Sequence, residues 1–141
     1  MIKGLGKGIR PAVPWGMPFI HVQTVPTSGS VDREAVLLDV VRALSEVIGT
    51  PPEKIHAGWS HFAVQSHGLE AGSAFRPDAR PPIVTVDMFQ NRTKEQKAAS
   101  LRAIAAVLKE KLDLTTDPFV IVRDIPDGQV ISRGEVITTG K

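Results

Sequence analysis

The sequence predicts an α+β domain made of one βαβ unit used twice. Two proline-opened, strand-like runs share a pattern: Met17-Pro18-Phe19-Ile20-His21-Val22-Gln23-Thr24 and Pro82-Ile83-Val84-Thr85-Val86-Asp87-Met88-Phe89. Each leads through a short polar loop into an apolar helical segment, and each helix is followed by another strand-like run. Repetition at this spacing means two copies of one supersecondary unit packed around a shared core. A chain of 141 residues with 42% hydrophobic content suits one such domain.

The elements follow in order. Residues 1–16 hold Gly4, Gly6, Gly8, Pro11, Pro14 and Gly16 with Lys3, Lys7 and Arg10, an arm whose composition resists regular structure. Repeat one spans 17–65. Its first strand, Phe19 to Val25, places Ile20 and Val22 on one face and His21 and Gln23 on the other. Ser30 is the expected N-cap, with Asp32 and Glu34 in the first turn where the helix dipole favours carboxylates. Leu37, Val41, Leu44 and Ile48 form one apolar stripe, and Gly49 with Pro51-Pro52 ends the helix. Ile55 to Gln65 reads as the second strand, carrying His56, Trp59 and His61.

A crossover, 66–81, rich in Gly, Ala, Pro and charge, leads to repeat two, 82–137. There Ile83 to Phe89 is strand-like, and Thr93-Lys94-Glu95-Gln96 is a capping box. Leu101, Ile104, Leu108 and Leu112 mark the helix, Phe119 to Ile125 the next strand, and Asp127-Gly128 a turn before a short hairpin within Val130 to Ile137. A β-α-β, β-α-β order is common to several folds, ferredoxin-like ones included, and periodicity does not separate them.

Composition narrows the function. With no cysteine there is no disulfide, thiolate metal site or cysteine nucleophile, and a reducing cytoplasm is the expected location. The apolar runs are too short for a bilayer span, and residues 1–16 lack the hydrophobic stretch of a signal peptide, so no membrane partner is expected. A net charge of +2, with 17 Lys and Arg against 15 Asp and Glu, gives no basic face, and aromatics are 5%; no nucleic-acid partner is expected. His56, Trp59 and His61 on one short run invite a metal reading, but His61 and His67 lack the tight spacing of a preorganised site, so no metal is expected, and Trp59 and Phe62 read as core or interface. Arg76 and Arg80 read as solvated crossover charges.

Pro82 at a strand start, Asn91-Arg92-Thr93-Lys94-Glu95-Gln96-Lys97 at the helix start, and Phe119-Val120-Ile121-Val122 followed by Asp127-Gly128 and Ser132-Arg133-Gly134-Glu135 together resemble the tautomerase superfamily, in its 4-oxalocrotonate tautomerase type. The resemblance covers about residues 17–137 and is strongest in repeat two. It implies a four-stranded mixed sheet with two helices on one face, the tautomerase/MIF-like fold, and a homotrimer. It also implies a cofactor-independent enzyme that moves protons on a small 2-oxo or enol carboxylate, with dehalogenase and decarboxylase relatives.

The family's chemistry rests on an amino-terminal proline. An α-amino group ionises near 7.7–8.0 and needs only modest lowering to serve as base and acid at working pH. A substrate carboxylate and developing enolate call for cations, which arginine supplies as a planar fork. By this resemblance Pro18 matches the catalytic proline and Arg92 the substrate-binding arginine. Arg123 and His21 are further substrate-binding candidates; Arg123 alternates with Val122 and Asp124, a placement more often that of a sheet-surface residue or a partner of Asp124 than of a ligand.

The sequence departs from the family in three places. Ser28 stands where repeat one would carry its arginine, so one site is expected and not two. A second family arginine falls near His56 in repeat one and near Phe119 or Val120 in repeat two. Met17 precedes Pro18, whose nitrogen is then an amide without proton or basicity. The alternative reading is a silent or proline-independent member that binds a carboxylate while the arm blocks the amine, with His21 or His61 as proton carriers.

Overall fold

A computed structural model describes residues 9–11, 18–27, 29–62, 81–89 and 92–138. After the strand β1 (Ile9–Pro11), the chain forms β2 (Phe19–Thr24), α1 (Arg33–Ile48) and β3 (His56–His61). It then forms β4 (Ile83–Phe89), α2 (Lys94–Lys111) and β5 (Phe119–Ile125), and ends in a hairpin of β6 (Val130–Ser132) and β7 (Glu135–Thr138). The main sheet has the order β3-β2-β4-β5. Within each repeat the two strands are parallel, as a helical crossover requires, and the repeats join through the antiparallel pair β2·β4. This is the tandem βαβ architecture, an α+β fold with a four-stranded mixed sheet.

Alternation along the strands sorts the two faces. Ile20 and Val22 from β2 and Val84 and Val86 from β4 are wholly buried against Val40, Leu44, Ile104 and Leu108 of the helices. The opposite, helix-free face carries Phe19, His21 and Gln23 beside Ile83, Thr85 and Asp87. Trp59 lies on the helix side, packed against the core, and its Nε1 donates to Thr24 Oγ1 at 3.1 Å.

Three local expectations change. The N-cap of α1 is Asp32, which accepts from the Ala35 amide at 3.2 Å, not Ser30; the carboxylate sits one residue before the helix and does the capping itself. The apolar stripe of α1 is centred one residue away from Leu37, on Val36, Val40, Val41, Leu44 and Ile48, while Leu37 is only half-buried. The arm is not wholly irregular: Ile9–Pro11 pairs in parallel with β7 and makes a three-stranded sheet, β1-β7-β6. Pairing with a partner distant in sequence overrides the weak local propensity of a Gly- and Pro-rich segment. The α2 capping box forms as expected, with Gln96 N–H to Thr93 Oγ1 at 3.1 Å and Thr93 N–H to Gln96 Oε1 at 2.9 Å. The expected strand residues 63–65 and most of the crossover lie outside the described residues.

Candidate functional site

The two strand-opening prolines occupy equivalent places. The Pro18 carbonyl accepts from the His56 amide at 3.1 Å, and the Pro82 carbonyl accepts from the Phe119 amide at 2.9 Å, so each proline is clamped by the first residue of its repeat's second strand. Both prolines are buried. Because β2 and β4 run antiparallel, Pro18 and Pro82 mark opposite ends of the sheet. The segment following β4, with Arg92, therefore returns to the Pro18 end, whereas the segment following β2, with Ser28, leads to the Pro82 end. Ser28 itself lies outside the described residues. Among the described residues, topology thus brings one strand-opening proline, Pro18, and the loop arginine Arg92 to the same end of the sheet.

Arg92 is half-buried beside the C-terminus of α1. Its Nη1 donates to the Ile48 carbonyl at 3.1 Å and its Nη2 to Thr50 Oγ1 at 3.1 Å. Burial lowers the guanidinium pKa from its ordinary value. Among the described residues its partners are a carbonyl and a hydroxyl, with no carboxylate to neutralise it. The guanidinium is thus a partly desolvated cation held by neutral groups, with other N–H donors left on the same fork.

Arg123 is in a different state. Its Nε donates to Asp87 Oδ1 at 2.9 Å and its Nη2 to Asp87 Oδ2 at 3.1 Å, a bidentate pair across neighbouring strands. The Asp87 hydrogen bond, and then its charge, raise the Arg123 pKa. The partner is therefore Asp87 and not Asp124, which instead takes Lys97 at 2.8 Å. Strand alternation explains this: Asp87 and Arg123 are register partners on one face, and Asp124 points to the other.

His21 shares a 2.8 Å hydrogen bond between its Nε2 and Ser60 Oγ on the helix-free face. Register places Ser60 beside Gln23, farther from Pro18 than His21 is, so this contact leads away from the Arg92 corner. His61 Nε2 accepts from Arg33 Nη1 at 3.0 Å, at the far end of β3. Near Pro18 the titratable ring is that of His56, stacked on Phe19 with centroids 5.4 Å apart and planes 18° from parallel. No group of three or more metal-ligating side chains occurs among the described residues. Nor is any described helix long and apolar enough to cross a membrane. Sequence reasoning missed Thr50: a threonine two residues past a helix end carries no signal by itself.

The family model described as Tautomerase enzyme matches residues 82–140, the second repeat with its terminal hairpin. No match emerged among curated proteins. Solved structures share the fold over nearly the whole chain. Pt0534 inactivated by 2-oxo-3-pentynoate superposes with a TM-score of 0.70 at 20% identity, covering 86% of this chain and 95% of that one. A wild-type fused 4-OT solved as an asymmetric trimer gives 0.69 at 24% identity, covering 84% and 94%. Malonate semialdehyde decarboxylase gives 0.62 at 16% identity, covering 79% and 88%. The second repeat thus matches the tautomerase family model, and the chain as a whole shares the fold of the fused 4-OT structures.

Proposed function

We propose that this protein is a cofactor-independent tautomerase-type protein that takes a small 2-oxo or enol carboxylate at the Pro18 end of the sheet, anchored by Arg92. The observation that carries the reading is the half-buried Arg92 guanidinium without a carboxylate partner among the described residues. With its amine free, Pro18 would accept the proton of the enol hydroxyl and return one to the neighbouring carbon, so atoms balance without a co-reactant. Arg123, once parted from Asp87, is a second cation for the developing enolate, and His21 is a further substrate-binding candidate on the helix-free face. The assembly we infer is a homotrimer in the cytoplasm, as supported by the trimeric fused 4-OT neighbour and the absence of cysteine. Its interface would use the helix-free face, where Phe19 and Phe119 are 53% and 60% exposed.

A second reading is favoured by β1. Pairing of Ile9–Pro11 with β7 builds the arm into the fold. A chain that keeps the arm also keeps Pro18 as an amide and binds the carboxylate without proline chemistry. The test is exposure of two proteins, the 141-residue chain and one starting at Pro18, to 2-oxo-3-pentynoate. A free secondary amine adds across the conjugated triple bond, its nitrogen to carbon and its proton to the adjacent carbon, so the mass rises by one whole reagent. Modification of Pro18 and enol tautomerisation only in the Pro18-started chain support the proline mechanism. Tautomerisation by the intact chain with Pro18 unmodified would replace it by a proline-independent route.

A further inference from the structure

We propose that Thr50 is a positioning residue for the carboxylate anchor: its hydroxyl, together with the Ile48 carbonyl, fixes the plane of the Arg92 guanidinium. The proposal rests on the reading of Arg92 given above. Thr50 is fully buried, although it lies just past the end of α1. Gly49, at φ 77°, turns the chain there, and its N–H donates to the Ser45 carbonyl at 2.9 Å. Ser45 Oγ donates to the Thr50 carbonyl at 2.6 Å, so the backbone of Thr50 is tied to the last turn of the helix. A buried hydroxyl needs a partner, and Arg92 Nη2 provides it.

The second bond has its own cause. The last carbonyls of a helix lack intrahelical donors and carry the negative end of its dipole. Helix α2 has Lys109 and Lys111 in its last turn, but α1 has no basic residue there. Arg92 reaches across from repeat two and supplies the missing cation to the Ile48 carbonyl. Two acceptors on two different nitrogens define the plane of a rigid fork, which one acceptor would not do. The remaining N–H edge is thereby presented in one orientation, and a carboxylate that binds it in plane meets a receptor already ordered.

The test is titration of the folded protein with pyruvate and with pyruvamide, which keeps the 2-oxo group and lacks the charge. Thr50→Val should weaken pyruvate about tenfold, as expected for disturbing a charged hydrogen-bonded site, and leave pyruvamide unchanged. Thr50→Ser, which keeps the hydroxyl, should bind both like the parent. Thr50→Ala carries the same readout if valine disturbs the packing. Parent-like pyruvate affinity in the variants lacking the hydroxyl, or equal losses for both compounds, overturns the positioning role. If Arg92→Ala weakens pyruvate while those variants do not, the anchor stands and only the role of Thr50 falls. If Arg92→Ala binds pyruvate like the parent, the anchor itself is wrong and Thr50 falls with it.

Discussion

Repeat one and repeat two build the same scaffold and different ends. Each places a buried proline before its first strand, clamps that proline's carbonyl with the amide that opens its second strand, and buries alternate residues under its helix. Their polar groups differ. Repeat two begins its helix with a reciprocal capping box and contributes Arg92, Asp87 and Arg123 to the Pro18 end. Repeat one begins its helix with Asp32 alone and contributes acceptors, Ile48 and Thr50, for the other repeat's arginine. Packing is constrained by shape and tolerates duplication, whereas the hydrogen bonds that hold Arg92 take donors from one repeat and acceptors from the other.

If the scaffold is equivalent in the two halves, deleting its centre should hurt both alike. Leu44 in α1 and Ile104 in α2 are each fully buried in the one core cluster. Leu44→Ala and Ile104→Ala should each cost about 2–5 kcal/mol in denaturant unfolding, in a single transition. A much smaller loss at one of them, or separate transitions, would break the picture of one shared core.

The ends should respond unequally. Arg92→Ala should weaken pyruvate binding by about 10- to 100-fold, the range for losing a hydrogen-bonded charge. Arg92→Lys should recover only part of it, because an ammonium holds no plane against Ile48 and Thr50. Full recovery by lysine would reduce the anchor to a simple point charge. Among the caps, Thr93→Ala should cost about 1 kcal/mol in unfolding experiments, and Asp32→Ala less than that, since only Thr93 belongs to a reciprocal box. Equal losses would mean that the box adds nothing over a single cap.

What could be read in the sequence follows the same division. The strands around Ile20-Val22 and Val84-Val86, the Gly49 stop and the Thr93-Gln96 box are local patterns, each with its cause within a few residues, and the structure contains them. The partners of the polar groups were not legible, because they depend on register and crossover. Arg123 met Asp87, thirty-six positions away, rather than its neighbour Asp124. Arg92 met Ile48 and Thr50 at separations of 44 and 42. The arm was misread for a similar reason: its composition argues against a strand, and only β7, at the other end of the chain, supplies the edge on which Ile9–Pro11 pairs.

The finest distinction within repeat two is between its two arginines at the Pro18 end, and it yields the smallest expected effect. Arg123 is 60% exposed and already holds a carboxylate, so it has little field left for an incoming anion. Asp87→Asn removes that carboxylate and leaves the arginine in place. Pyruvate affinity should then rise modestly at low ionic strength, and the gain should vanish near 1 M salt, where screening extends to about 3 Å. Arg123→Ala should do the reverse, leaving Asp87 unneutralised and weakening pyruvate slightly, again only at low salt. The contribution of Arg92 should survive the same salt better, because its guanidinium is partly withdrawn from solvent. Equal salt sensitivity at the two arginines would erase the difference, and Arg92 would then be no more a receptor than Arg123 is.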